Sequence, residues 1–186
     1  MRAVLALILL AGCAVQRLEA DKDLLARGET ARLAAEAPPC AGPAPECRQA
    51  QEIRAAACRR QGDLPCAVAA WQAALAPDSP RRIPLNLAAA AQDAITAGAG
   101  DPAANAAAEL AAAEALRRGA PADPEGCAHA GSARLALALL EPPGRGRCAI
   151  LAALPPECRS AAPAPGRALQ SRQLAAALAA QRRSCP

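Results

Sequence analysis

Phenylalanine and tyrosine are missing altogether from this chain of 186 residues, and tryptophan occurs once, as Trp71. Strands are built on β-branched and aromatic residues, and no run of either exists here, so a sheet has nothing to form from. Histidine is confined to His129 and no CxxC pair is present, which leaves no tetrahedral metal site of known spacing to draw. GxSxG, HExxH, a P-loop and GxGxxG are all absent. With so few groups that burial could tune for proton transfer, the sequence offers neither an active site nor a cofactor site. Long apolar runs are lacking too: the stretch from Ala3 to Ala11 falls far short of the roughly 20 residues that cross a bilayer as a helix. Lysine is reduced to Lys22, so the formal charge of +4 rests on arginine. The arginines are scattered or stand in doublets such as Arg59-Arg60, Arg81-Arg82, Arg117-Arg118 and Arg182-Arg183. That is a solvated surface rather than a nucleic-acid face, with a mild pull on anionic headgroups or an acidic partner.

What abounds is alanine, with Leu, Arg, Glu and Gln, the strongest helix formers. Helices are predicted over residues 19–36, 46–61, 64–76, 84–97, 102–118, 127–140, 147–154 and 167–183, punctuated by Pro and Gly. The expected fold is all-α, made of antiparallel helical hairpins, with the Pro-rich stretch from Gly119 as the best boundary between halves. An alanine interior buries little area, at about 25 cal/mol per Å², so the hydrophobic drive is thin.

Cysteine offsets this. Beyond Cys13 the chain carries Cys40, Cys47, Cys58, Cys66, Cys127, Cys148, Cys158 and Cys185. In an oxidising compartment such an even set reads as four disulfides, each contributing roughly 2–4 kcal/mol. The helical rise of about 1.5 Å per residue orders the pairs by height. Cys58 and Cys66 each stand four residues from Gly62 and face one another across a hairpin. Cys127 and Cys158 lie nearly symmetrically about the Pro142-Pro143-Gly144 turn, and Cys148 meets the level of Cys185 if the last helix runs antiparallel to the one before. Cys40 and Cys47 remain to close a Pro-rich loop. Eight cysteines allow about 105 connectivities, of which this is the set that the heights favour.

The apolar run after Arg2 has the short basic start, apolar middle and small-residue end of a secretory signal peptide. More narrowly, Leu10-Ala11-Gly12-Cys13 resembles the lipobox of bacterial lipoproteins. The resemblance implies that residues 1–12 are a signal, that the Cys13 thiol takes a diacylglyceryl group, and that Cys13 becomes the first residue of a tethered chain. Several acyl chains on one residue supply the stable anchoring that a single chain cannot. Ala14, and not Asp, follows the cysteine, which by the family's sorting rule implies the outer membrane, facing the periplasm.

In the segment Ala55 to Pro80, Leu64, Ala67, Val68, Trp71, Ala74 and Leu75 recur on one helical face, after a Gly62-Asp63 break in which Asp63 is placed to cap. Gly62, Asp63, Ala67, Trp71, Ala74 and Leu75 resemble the second helix of a tetratricopeptide repeat and the turn before it. The unit from Ile83 to Gly119 repeats helix, Gly100-Asp101, helix and an Ala115-Leu116 pair, at a period longer than the roughly 34 residues usual for that family. The resemblance runs from Gln49 to Gly119 and implies right-handed stacking of hairpins into a protein-binding surface. Residues 13–45 are then a tether and N-terminal helix, 46–119 the repeat-like hairpins, and 120–186 a set of disulfide-stapled helices. Pro45-Glu46-Cys47-Arg48 recurs at Pro156-Glu157-Cys158-Arg159, each cysteine falling in the first turn of an expected helix.

Among groups with chemistry, His129 reads as a helix-surface residue, Glu109 and Glu114 as solvated helix faces, and Trp71 as core. The expectation is a membrane-tethered helical scaffold without turnover that binds an envelope protein or peptide, as lipoproteins of this kind do in envelope, secretion or pilus assembly. The alternative is a compact stapled lipoprotein with no groove.

Overall fold

A computed structural model describes residues 16–36, 44–160 and 168–185. Among these the chain is all helical, with no strand, and it divides between Ala76 and Pro77 into two compact units.

In the first unit, α1 covers residues 16–26, α2 Thr30–Ala35, α3 Pro45–Arg60 and α4 Leu64–Ala74. The single helix expected over 19–36 is broken: Gly28 takes φ +80°, and the Gly28 and Glu29 amides turn back to the Leu25 and Leu24 carbonyls. That left-handed glycine closes α1 and lets Leu33 of α2 fold onto Leu18, Leu24, Ala50, Ile53 and Ala57. The same bonding ends α3, where Gly62 has φ +75° and the amides of Gly62 and Asp63 reach the carbonyls of Arg59 and Cys58. Asp63 Oδ1 then accepts from the Cys66 amide at 3.0 Å, which caps α4. The turn makes α3 and α4 an antiparallel hairpin, and it brings Cys58 and Cys66 into a disulfide with Cα atoms 5.7 Å apart.

The second unit holds α5 (Arg82–Ala97), α6 (Pro102–Arg117), α7 (Pro124–Leu140), α8 (Arg145–Ala152), a four-residue 3-10 turn at Pro156–Arg159, and α9 (Ala168–Ser184). α5 and α6 form the second hairpin. Asp101 caps α6 at 3.1 Å, and Asp123 caps α7 by accepting from Gly126 N at 2.8 Å. The stretch after Gly119, expected as a boundary, instead joins α6 to α7, and these two pack closely inside one unit. Cys158 sits in this short 3-10 helix and not in an α-helix.

Two disulfides set the helix directions. Cys127, near the start of α7, pairs with Cys158 beyond the end of α8, so α8 runs back along α7. Cys148, near the start of α8, pairs with Cys185 beyond the end of α9, so α9 runs against α8 and alongside α7. The Cα separations are 5.0 and 5.5 Å, and these are the pairs drawn from helix heights. α7 is the centre: Gly126 to Ala133 are all buried. A Cβ on Gly131 would stand 2.8 Å from Leu174 Cα, and one on Gly126 would lie 3.1 Å from the Ala113 carbonyl oxygen, so only glycine permits these approaches of α9 and α6.

Candidate functional site

Four polar side chains meet inside the second unit: Gln92 from α5, Glu109 from α6, and His129 and Ser132 from one face of α7. Glu109 and His129 are wholly shielded from solvent, and Gln92 and Ser132 are 2 % exposed. This corrects the sequence reading on two residues. His129 is not on a helix surface, and Glu109 is not on a solvated face. The missed signal is the run Gly-Cys-Ala-His-Ala-Gly-Ser-Ala at residues 126–133. Eight uncharged, mostly small residues make a helix apolar on all sides, which is how a helix buried all round reads, and a His or Ser within it has to face the interior.

His129 Nδ1 lies 2.8 Å from Glu109 Oε1, and Ser132 Oγ lies 3.2 Å from Glu109 Oε2 while also bonding Gln92 Oε1. Gln92 Nε2 donates to Thr96 Oγ1 at 3.3 Å, which leaves its Oε1 as a pure acceptor. The Ser132 hydroxyl has one proton, and Gln92 Oε1 can only accept it. The contact between Glu109 Oε2 and Ser132 Oγ is therefore satisfied when the carboxyl itself carries a proton and donates. His129 Nδ1–H then donates to the other carboxyl oxygen. His129 Nε2 has no partner, and a bare ring nitrogen is less costly to strand in a core than an N–H. Burial pushes the Glu109 carboxyl above the ordinary glutamate range, outweighing the opposing pull of the contacts with His129 and Ser132.

The arrangement has the residue types of a hydrolytic triad without its connectivity. The hydroxyl contacts the carboxyl and the amide, and the free ring nitrogen meets nothing. A nucleophile with its base within reach is not what these positions make. Among the described residues no group of three or more His, Cys, Asp or Glu side chains could hold a metal ion.

A different feature lies on the first unit: a surface hollow of about 420 Å³ lined by Arg17, Ala20, Asp21, Asp23, Leu24, Arg27, Arg32 and Glu36. Arg17 and Arg32 both reach Glu36, at 3.2 and 2.9 Å. Burial raises the Asp21 carboxyl, with Arg17 pulling the other way.

The remaining predicted residues fall as follows. Cys13, Leu10, Ala11, Gly12 and Cys40 lie outside the described residues. Cys47 is buried and disulfide-bonded. Ala67, Trp71 and Ala74 are buried in the first unit and Leu75 is half-buried at the end of α4. No described helix is long and apolar enough to cross a membrane. No family model, no curated protein and no solved structure matches the chain.

Proposed function

We propose that the chain is a lipid-anchored bacterial envelope protein, held through Cys13 on the outer membrane facing the periplasm, whose disulfide-stapled helical body binds another envelope protein or peptide without turnover. The observation that carries this is the state of the cysteines. Cys47, Cys58, Cys66, Cys127, Cys148, Cys158 and Cys185 are all disulfide-bonded, which suits an exported chain and not a reduced cytosol. The lipobox-like Leu10-Ala11-Gly12-Cys13 supports the anchor. The hollow lined by Arg17, Arg27, Arg32 and three carboxylates is the binding surface of this reading. It selects a partner by charge pattern, because its exposed ion pairs are worth little to folding and are available for exchange. The Gly-Asp hairpins, with their resemblance to tetratricopeptide repeats, support a protein ligand.

A second reading, a structural lipoprotein with no groove, is favoured by the close-packed interior of the second unit. Intact mass of the membrane fraction, before and after reduction and alkylation, tests the common part. Acylated Cys13 with eight thiols released only by reductant is the expected result, and an unprocessed chain with free thiols would sink both readings. A photo-crosslinker placed at Asp23 separates them, since only the scaffold yields a defined adduct in the envelope.

A further inference from the structure

The chain separates its charge. From Glu141 to Pro186 it holds Arg145, Arg147, Arg159, Arg167, Arg172, Arg182 and Arg183 against two acids, Glu141, exposed at the α7–α8 corner, and Glu157, and Glu157 is engaged by Arg117 at 3.4 Å. The helix directions gather part of this cation supply at one end of the second unit. α7 finishes there, α8 begins there, and α9 finishes there, with Cys148 and Cys185 joined across it. Ala138, Leu151 and Ala177 pack together just beneath, with Leu135, Ile150 and Ala180 against them.

Two of the three large apolar side chains that the described residues leave exposed stand side by side at this same end, Leu139 at 65 % and Leu140 at 49 %. Neither is needed by the core, which closes at Ala138. Arg145, in the first turn of α8, and Arg183, in the last turn of α9, are exposed at this end, and neither makes an ion pair or side-chain hydrogen bond among the described residues. Arg147 bends over the turn, its Nε and Nη2 donating to the Glu141 carbonyl, which holds its cation at the α7–α8 corner. A helix tip with paired leucines and a collar of arginines fits one partner by its chemistry: the interfacial layer of a membrane carrying anionic phospholipid, which takes apolar side chains below its headgroups and cations among them. An acidic protein would satisfy the arginines and leave the leucine pair without a purpose.

We propose that the Leu139-Leu140 tip of the second unit, with Arg145, Arg147 and Arg183 around it, is a docking surface for anionic lipid headgroups. It is a contact separate from any acyl chain on Cys13, and its test reads the tip itself. The full-length oxidised chain carrying Leu140→Trp is mixed with vesicles of phosphatidylcholine alone, or with phosphatidylglycerol added, in each case with bromine-labelled acyl chains. Trp71 is buried in the first unit, and the unaltered chain supplies its background. The expected result is a blue shift and quenching of the new tryptophan on phosphatidylglycerol vesicles only. Arg145→Ala with Arg183→Ala should weaken the effect about thirtyfold in lipid concentration, and molar salt should reverse it. Both arginines are on the surface, and circular dichroism of the variants checks that the fold is kept. Quenching that is equal on both vesicle types, or absent from both, overturns the proposal, as does an emission shift produced only by an acidic polypeptide such as polyglutamate. Acylation of Cys13 is read separately by mass, so the two readings can fail independently.

Discussion

Replacing Glu109 with glutamine should remove a pH dependence from the stability of the second unit. In the unaltered chain the carboxyl is wholly buried, with Oε2 3.2 Å from Ser132 Oγ and Oε1 2.8 Å from His129 Nδ1; by the proton count at Ser132, the protonated carboxyl donates to the hydroxyl and accepts from the ring. An amide of the same shape does both: its oxygen accepts from the ring and its NH2 donates to the hydroxyl. The folded protein holds the Glu109 proton more tightly than the unfolded chain does, because burial raises the folded pKa above the roughly 4.3 of a free glutamate. The stabilisation tied to that proton is therefore complete below about pH 4.3 and is lost as pH rises through the folded value, at up to about 1.4 kcal/mol per unit. Urea unfolding followed by circular dichroism, with disulfides intact, should find Glu109→Gln within about 1 kcal/mol of the unaltered chain at pH 4. The variant should then gain on it as pH rises above the free-glutamate range, until the folded carboxyl itself ionises. His129 is present in both chains, so their difference reads the carboxyl together with its coupling to the ring. Glu109→Ala is the contrasting change: it strands the ring N–H and leaves a void, and it should destabilise at every pH by about 3 kcal/mol or more. A Glu109→Gln chain with the same pH slope as the unaltered one would refute the proton assignment.

Gly131→Ala drives a methyl into Leu174 and should lower the unfolding free energy by about 1–3 kcal/mol in the same urea titration; an unchanged midpoint would mean that α9 does not rest on α7. Cys148→Ser with Cys185→Ser opens a closure of 37 residues and should destabilise by about 2–4 kcal/mol, read as a lower thermal midpoint and faster amide exchange across α9. Asp63→Ala removes the cap on α4 at about 1 kcal/mol, with the change reported by the fluorescence of Trp71. Cys13→Ser should move the chain from the membrane to the soluble or unprocessed fraction, and retention by washed membranes in an acylated state would contradict the anchor.

Helix positions were legible because the chain states its punctuation locally. Asp63, Asp101 and Asp123 each precede a helix and cap it, and Pro65, Pro102 and Pro124 sit in the first turns where a missing amide is harmless. Disulfide pairing followed from the same boundaries, since an error of a residue or two moves a cysteine by less than one helical turn. What failed depended on side-chain environment or on contacts far along the chain. Gly28 breaks a helix whose flanking residues all favour helix, and its role shows only when Leu33 is seen folded onto Ile53. His129 and Glu109 are polar, and a reading that sends polar groups outward could not find them without noticing that α7 has no charged residue from 126 to 133. The division at Ala76 carries no richer run of Pro and Gly than the connection after Gly119; packing decides between them, and composition does not.

The two long disulfides of the second unit have a consequence for biogenesis. Along the chain the four cysteines emerge in the order Cys127, Cys148, Cys158, Cys185, yet the bonds join first to third and second to fourth. An oxidant acting on each thiol as it emerged would join neighbours instead, Cys127 to Cys148 and Cys158 to Cys185. The native set is reached when α8 has already lain back along α7 before oxidation, or when a thiol catalyst reshuffles the early bonds. The hairpin bond between Cys58 and Cys66, only 8 residues apart, needs neither. Oxidation of this chain thus has two regimes, a Cys58–Cys66 bond that seals itself locally and a crossed pair whose correct sealing waits for Cys185 and for either prior folding or reshuffling of the first bonds.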